Sequence, residues 1–131
     1  MATTLFRGPV LQGKFNEAGV TGFNLNEKNS AYSVLTSDLG KSFTSKSGSP
    51  TFTIHTFGVG YTFTFTNTGG DATNGIIIKS DAVNELSFAG GTHQYLTNTK
   101  ATSKVGDFVT IHSVGSLWAV IGIQGTWVGS D

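Results

Sequence analysis

The chain contains no cysteine, so disulfides, thiolate nucleophiles and zinc-thiolate sites are excluded. Charge is scarce: eight Lys and Arg residues cancel eight Asp and Glu residues, together 12% of 131 residues. No run of either sign makes the tail or stripe that neutralises several phosphates, so neither nucleic acid nor an anionic membrane surface is an expected partner. Long apolar runs are missing too. Ile76 to Ile78 and Leu117 to Ile123 fall far short of the roughly 20 residues that span a bilayer, and the amino end, MATTLFRG, lacks the basic-then-apolar layout of a signal peptide. A sustained i, i+3, i+4, i+7 apolar pattern is absent as well, which argues against a long helix. At most, Asp81 caps a single turn through Asn84.

What the chain does hold is Gly, Thr, Ser and Asn, which make up 58 of the 131 residues; the full length suits one domain with one core. Period-two alternation marks strands at Thr51 to Ile54 and Tyr61 to Thr66, with aromatics on one face and threonines on the other. Phe57-Gly58-Val59-Gly60 changes the phase between them and reads as a hairpin or corner. Further strands are expected at Ile76 to Lys79, Glu85 to Phe88, Thr92 to Leu96, Phe108 to His112, Leu117 to Ile123 and Thr126 to Val128. These short strands predict an all-β fold, an antiparallel sandwich or a small barrel or jelly roll, over residues 31–131. Residues 1–30, with scattered apolar pairs between glycines, form either an extended arm or an edge segment.

Chemistry is thinly represented. His55, His93 and His112 show no HxH or HExxH spacing, and no metal or cofactor is expected from them; a histidine at a symmetry axis stays open. Asp38, Asp71, Asp81 and Asp107 fall in or before turns, where a carboxylate accepts the backbone N–H groups that close the turn. Asp38 with Gly40, and Gly106 with Asp107, are the structural turns read this way. Neither GxGxxG nor GxxxxGKS occurs, and Gly40-Lys41-Ser42 lacks the upstream glycine of a phosphate loop. A Gly-x-Ser-x-Gly elbow and an alternating acidic calcium loop are likewise missing. Trp118 reads as core. Trp127 and Tyr95 are the candidates for an exposed aromatic platform that stacks on sugar.

Two stretches carry a resemblance. Leu35-Thr36-Ser37-Asp38-Leu39-Gly40-Lys41, followed by Thr51-Phe52-Thr53-Ile54 and Gly60-Tyr61-Thr62-Phe63, resembles the opening of small β-rich modules of tailed-bacteriophage virion proteins. There a D-x-G-K turn precedes an alternating T-x-T-L-P strand. Val105-Gly106-Asp107-Phe108-Val109-Thr110-Ile111, with Trp118, Val120, Gly122, Gly125 and Trp127 after it, resembles their terminal G-D-x-V-x-L and G-x-x-W-x-V signature. Ile54-His55 departs from the Leu-Pro of the pattern, so the corner there must be made differently, with Gly58 and Gly60 as the candidates.

Such modules occur as capsid decoration or cement proteins and within tail fibres or spikes. One module with an amino-terminal arm fits decoration better. The resemblance then implies a non-catalytic structural protein on the outer surface of the virion capsid, a homotrimer whose partner is the major capsid protein and which needs no cofactor. Leu5, Phe6, Val10 and Leu11 are the expected contacts to the capsid or a sister subunit. The alternative is a tail-fibre head that recognises a host surface glycan.

Overall fold

The computed structural model of the chain describes residues 25–83 and 85–131, and these are all-β. Twelve strands are formed by the described residues: β1 (Leu25–Glu27), β2 (Tyr32–Ser33), β3 (Ser42–Ser45), β4 (Thr51–Ile54), β5 (Thr62–Asn67), β6 (Ile76–Ser80), β7 (Leu86–Phe88), β8 (Gly91–His93), β9 (Tyr95–Asn98), β10 (Phe108–Ser113), β11 (Trp118–Gln124) and β12 (Trp127–Ser130). Single 3-10 turns lie at Thr36–Asp38 and Lys100–Thr102. Two sheets pack face to face as a sandwich. One has five strands in the order β12-β9-β6-β4-β2, the other seven in the order β1-β3-β5-β10-β11-β7-β8.

Period two does the folding work. In β4, Phe52 and Ile54 point inward and Thr51 and Thr53 outward; in β5, Phe63 and Phe65 point inward and Thr62, Thr64 and Thr66 outward. Phe43, Phe52, Phe63 and Phe65 are fully buried, with the Phe43 and Phe65 rings stacked at 5.5 Å and Phe52 tilted against Phe65 at 4.9 Å. Trp118 closes the core at one end, 5.8 Å from Phe63 and edge-on to Phe57 at 6.0 Å. Each buried ring of this kind contributes roughly 2–3 kcal/mol of apolar burial.

Strand direction differs from expectation. Of the ten strand pairs among the described residues, five are parallel. The expected antiparallel sheets are therefore mixed, because from β1 to β6 the chain changes sheet after every strand. Strands two apart become neighbours and run the same way, as β3 beside β5 and β4 beside β6 do. Phe57 to Gly60 is accordingly a corner between sheets, not a hairpin within one. Alternation could not reveal this, since side chains have period two in both kinds of sheet. The later strands pair mostly antiparallel, β10 with β11 and β5, β9 with β6 and β12, and β7 with β8, while β7 runs parallel to β11.

β1, within the residues 1–30 for which an arm or an edge segment is expected, pairs with β3 at the edge of the seven-stranded sheet. Asp81 does not open a helical turn: residues 81–83 are bends and a turn, and the carboxylate pairs with Nδ1 of His55 at 2.8 Å.

Candidate docking surface

Because the inward period runs on past the apolar residues, β5 ends in Asn67 and β9 in Asn98, both fully buried at one end of the sandwich. Asn74, also fully buried, joins them from the loop between β5 and β6. Nδ2 of Asn67 donates to the Asn74 carbonyl (2.8 Å) and to Oδ1 of Asn98 (2.9 Å), while its Oδ1 accepts from the Gly69 N–H (2.9 Å). Nδ2 of Asn98 donates to Oδ2 of Asp107 (2.9 Å) and to the Thr126 carbonyl (3.1 Å), and Oδ2 of Asp107 also accepts from the Lys104 N–H (2.9 Å). Oδ1 of Asn29 extends the network by accepting from the N–H groups of Lys46 and Ser47. Five loops are held by side-chain amides whose hydrogen-bonding groups find partners, which is what makes a buried polar network stabilising rather than costly.

The opposite end is built differently. Here the loops at residues 34–41, 55–61, 81–85 and 114–117 carry exposed aliphatic side chains: Val59 is 73% exposed, and Leu35, Leu39, Val83 and Val114 are each about half exposed. Val59 lies against Gly115, whose turn is tied to the neighbouring loop by Gly60 N–H to Ser113 O (3.0 Å). Below them Phe57 packs on Tyr61 at 5.1 Å, and the Trp118 indole N–H donates to the His55 carbonyl (3.2 Å). Thr56, Glu85, Ser116 and Leu117 close around Trp118 with no water-sized space between them. Oε1 of Glu85 is buried without a hydrogen-bond partner, the one such side-chain atom among the described residues.

Asp38 anchors the first of these loops. It is almost fully buried, and its Oδ2 accepts from the Tyr32 hydroxyl (2.7 Å) and the Leu35 N–H (2.8 Å), with the Lys41 ammonium 3.1 Å from Oδ1. Burial opposes the charged carboxylate, but the Leu35 N–H, the Tyr32 hydroxyl and Lys41 outweigh it and hold the pKa below the ordinary carboxylate value. Burial, with the Asp38 hydrogen bond and charge, pushes the Tyr32 phenol above its ordinary value.

The outer faces are nearly uncharged. On the seven-stranded sheet Thr62 pairs across with His112 (2.7 Å to Nδ1) and Thr64 with Thr110 (2.9 Å), with Ser42, Thr44, Ala119 and Gly122 in the adjoining rows. None of residues 108–130 is Asp, Glu, Lys or Arg. On β11 of this sheet Ile121 and Ile123 are exposed, and Val128 is exposed on β12, the edge strand of the five-stranded sheet; β7 pairs with β11 only at Trp118 and Ala119. A register shift between Thr110 and Ile111 leaves Ile121 without an opposite residue on β10.

The residues singled out from the sequence are dispersed. Gly40 and Gly106 both take positive φ, 82° and 93°, in the turns beside Asp38 and Asp107. Those turns lie at opposite ends of the sandwich. Trp127 is 6% exposed, faces inward opposite Asn98 and donates its indole N–H to the Gln124 carbonyl (2.9 Å). Tyr95 is half-buried on the outer face, beside Lys79. The two rings therefore lie on opposite faces of one sheet and form no exposed platform. Leu5, Phe6, Val10 and Leu11 lie outside the described residues.

His93 lies 3.9 Å from an Asp131 carboxylate oxygen. Among the described residues no group of three or more His, Asp and Glu side chains is placed to hold a metal ion. Sequence reading passed over the asparagine network and the aliphatic end. A signal for each exists: Asn67 and Asn98 continue an inward period of two, and Leu39, Val59, Val83 and Val114 are single aliphatic residues inside turn segments. No protein-family model matches the chain, and no curated protein matches it.

Proposed function

We propose that the protein is a bacteriophage capsid decoration, or cement, protein that binds the outer surface of the mature head and stabilises it without catalysis. The observation that carries this reading is the difference between the two ends: one is closed by a satisfied amide network, while several loops of the other hold aliphatic side chains out to solvent. Scattered exposed aliphatics are ordinary, but of the nine among the described residues five lie on the loops of this end, against Val105 alone at the amide end, and such a concentration suits a surface kept for a partner. A standard footprint of about 800 Å² per partner is an area that one end of a sandwich can supply.

The nearly uncharged faces fit the same role. A surface that packs on a large static partner avoids burying unpaired ions, and hydroxyls desolvate at lower cost than charges. In this proposal Leu35, Leu39, Val59, Val83 and Val114 meet the major capsid protein, and the exposed Ile121 and Ile123 of β11 and Val128 of β12 meet sister subunits of a homotrimer. Leu5, Phe6, Val10 and Leu11 add a further contact to one of these. Stabilisation follows from preferential binding to the mature shell. The tail-fibre alternative comes from the same resemblance, and the burial of Trp127 removes the aromatic platform with Tyr95 that would have favoured it.

Electron microscopy of native particles tests the proposal: density for this chain on the head is expected, and density on the tail alone would overturn it. Adding the protein to heads stripped of it, with and without residues 1–12, measures the arm. A fall in occupancy without them is expected; unchanged occupancy would remove the arm from the contact.

A further inference from the structure

The amide end contains the chain's one Asn-Gly dipeptide, Asn74-Gly75, and the fold requires both members. Asn74 is a hub: its Oδ1 accepts from the Ser49 N–H (2.8 Å), and its Nδ2 faces the Ser45 carbonyl (3.2 Å), Ser45 Oγ (3.2 Å) and Oδ1 of Asn67 (3.3 Å). Gly75 is needed because a Cβ there would lie 2.6 Å from the Asn98 carbonyl oxygen and 3.1 Å from the Lys100 nitrogen. Packing has thus placed at the centre of the network the dipeptide with the least steric protection against imide formation.

We infer that Asn74 is a latent deamidation site that the folded amide end locks, and that its conversion is one-way. In the reaction the Gly75 nitrogen attacks Cγ of Asn74. A C–N bond forms, the side-chain amide leaves as ammonia carrying the proton lost by Gly75, and solvent water then opens the imide at either carbonyl to give aspartate or isoaspartate. The native geometry opposes each part of this. The Gly75 N–H is engaged by Ser49 Oγ (3.1 Å), both ends of the Asn74 amide are tethered, and the residue has no exposed surface through which water arrives or ammonia leaves.

Opening this end releases all of these constraints together. Closure afterwards is blocked, because a carboxylate at residue 74 has no N–H to give to the Ser45 carbonyl or to Oδ1 of Asn67 and turns its charge on these acceptors. Isoaspartate in addition lengthens the main chain where Gly75 has no room. The site therefore records, permanently, that this end has opened.

Peptide mapping of the full-length protein, incubated in mildly alkaline buffer with and without denaturant, tests the lock. Conversion at Asn74 is expected to be at least about a hundredfold slower in the folded protein, the opening of a core element being rare; comparable rates would overturn the inference. Ser49→Ala, checked for retained fold by circular dichroism, is expected to speed conversion in buffer while leaving the rate in denaturant unchanged, and no acceleration would show that these bonds are not the lock. Asn74→Asp is expected to melt well below the parent protein or to fail to fold. An unchanged melting temperature would overturn the one-way step.

Discussion

At the end where Asn67, Asn74 and Asn98 meet, loops are joined by amide hydrogen bonds from buried side chains, whereas at the end beneath Val59 and Leu39 the loops rest on aromatic rings and turn aliphatic groups to solvent. Both ends close the same two sheets. Comparing them separates what the fold requires from what it leaves available. Amide side chains at the first end have partners chosen by geometry, so removing one orphans several others. Aliphatic groups at the second end have lost little by folding and have much apolar area still to bury, so changing them costs the isolated protein almost nothing.

The sharpest way to break this contrast is Asn67→Ala. It leaves the Asn74 carbonyl, Oδ1 of Asn98 and the Gly69 N–H without their partner, and a loss of about 3 kcal/mol or more is expected in denaturant titration. Asp38→Asn tests the strongest polar anchor of the aliphatic end and is expected to cost about 1–3 kcal/mol through the weakened bonds to Tyr32 and Lys41.

Its pH signature is distinctive. Folding lowers the Asp38 pKa, so the parent protein holds that contribution in full above the ordinary carboxylate value, about pH 4, and loses it as pH falls through the folded value. Folding raises the Tyr32 pKa, so that contribution is complete below the ordinary phenol value, about pH 10, and is lost as pH rises through the folded value. Urea titrations across pH should show the acid limb lost in Asp38→Asn and the alkaline limb reduced but retained, because burial, the largest cause of the Tyr32 shift, remains.

Smaller effects follow on the faces and loops. Thr64→Val removes the hydrogen bond to Thr110 from a half-buried face and is expected to cost less than about 1 kcal/mol in a thermal melt. Val59→Ser should change stability by no more than about 0.5 kcal/mol; a larger loss would mean that this loop belongs to the core and would erase the contrast between the ends.

Much of the architecture was legible because Phe52, Ile54, Phe63 and Phe65 alternate cleanly with threonine, and the structure puts those strands where the period does. The strands at Leu25, Tyr32 and Ser42 were not read. They have two to four residues each, too few for alternation to stand out, and their partners lie on other strands. Parallel pairing was hidden for a different reason: the register between β3 and β5 depends on loops that cross from one sheet to the other, and no side-chain period records a crossing. The candidate surface was the least legible part. A lone Val59 between two glycines looks like any turn residue until the fold gathers it with Leu39, Val83 and Val114 at one end. The asparagines could have been found, since Asn67 occupies the inward position that follows Phe63 and Phe65.

The proposed function divides the molecule, one end holding the fold and the other the partner. Its most direct test is the double variant Leu39→Ser/Val59→Ser, followed by thermal melting and by co-sedimentation with heads stripped of the protein. A melt within about 0.5 kcal/mol of the parent, together with lost co-sedimentation, is the predicted result; full binding to the heads by this stably folded variant would contradict the account.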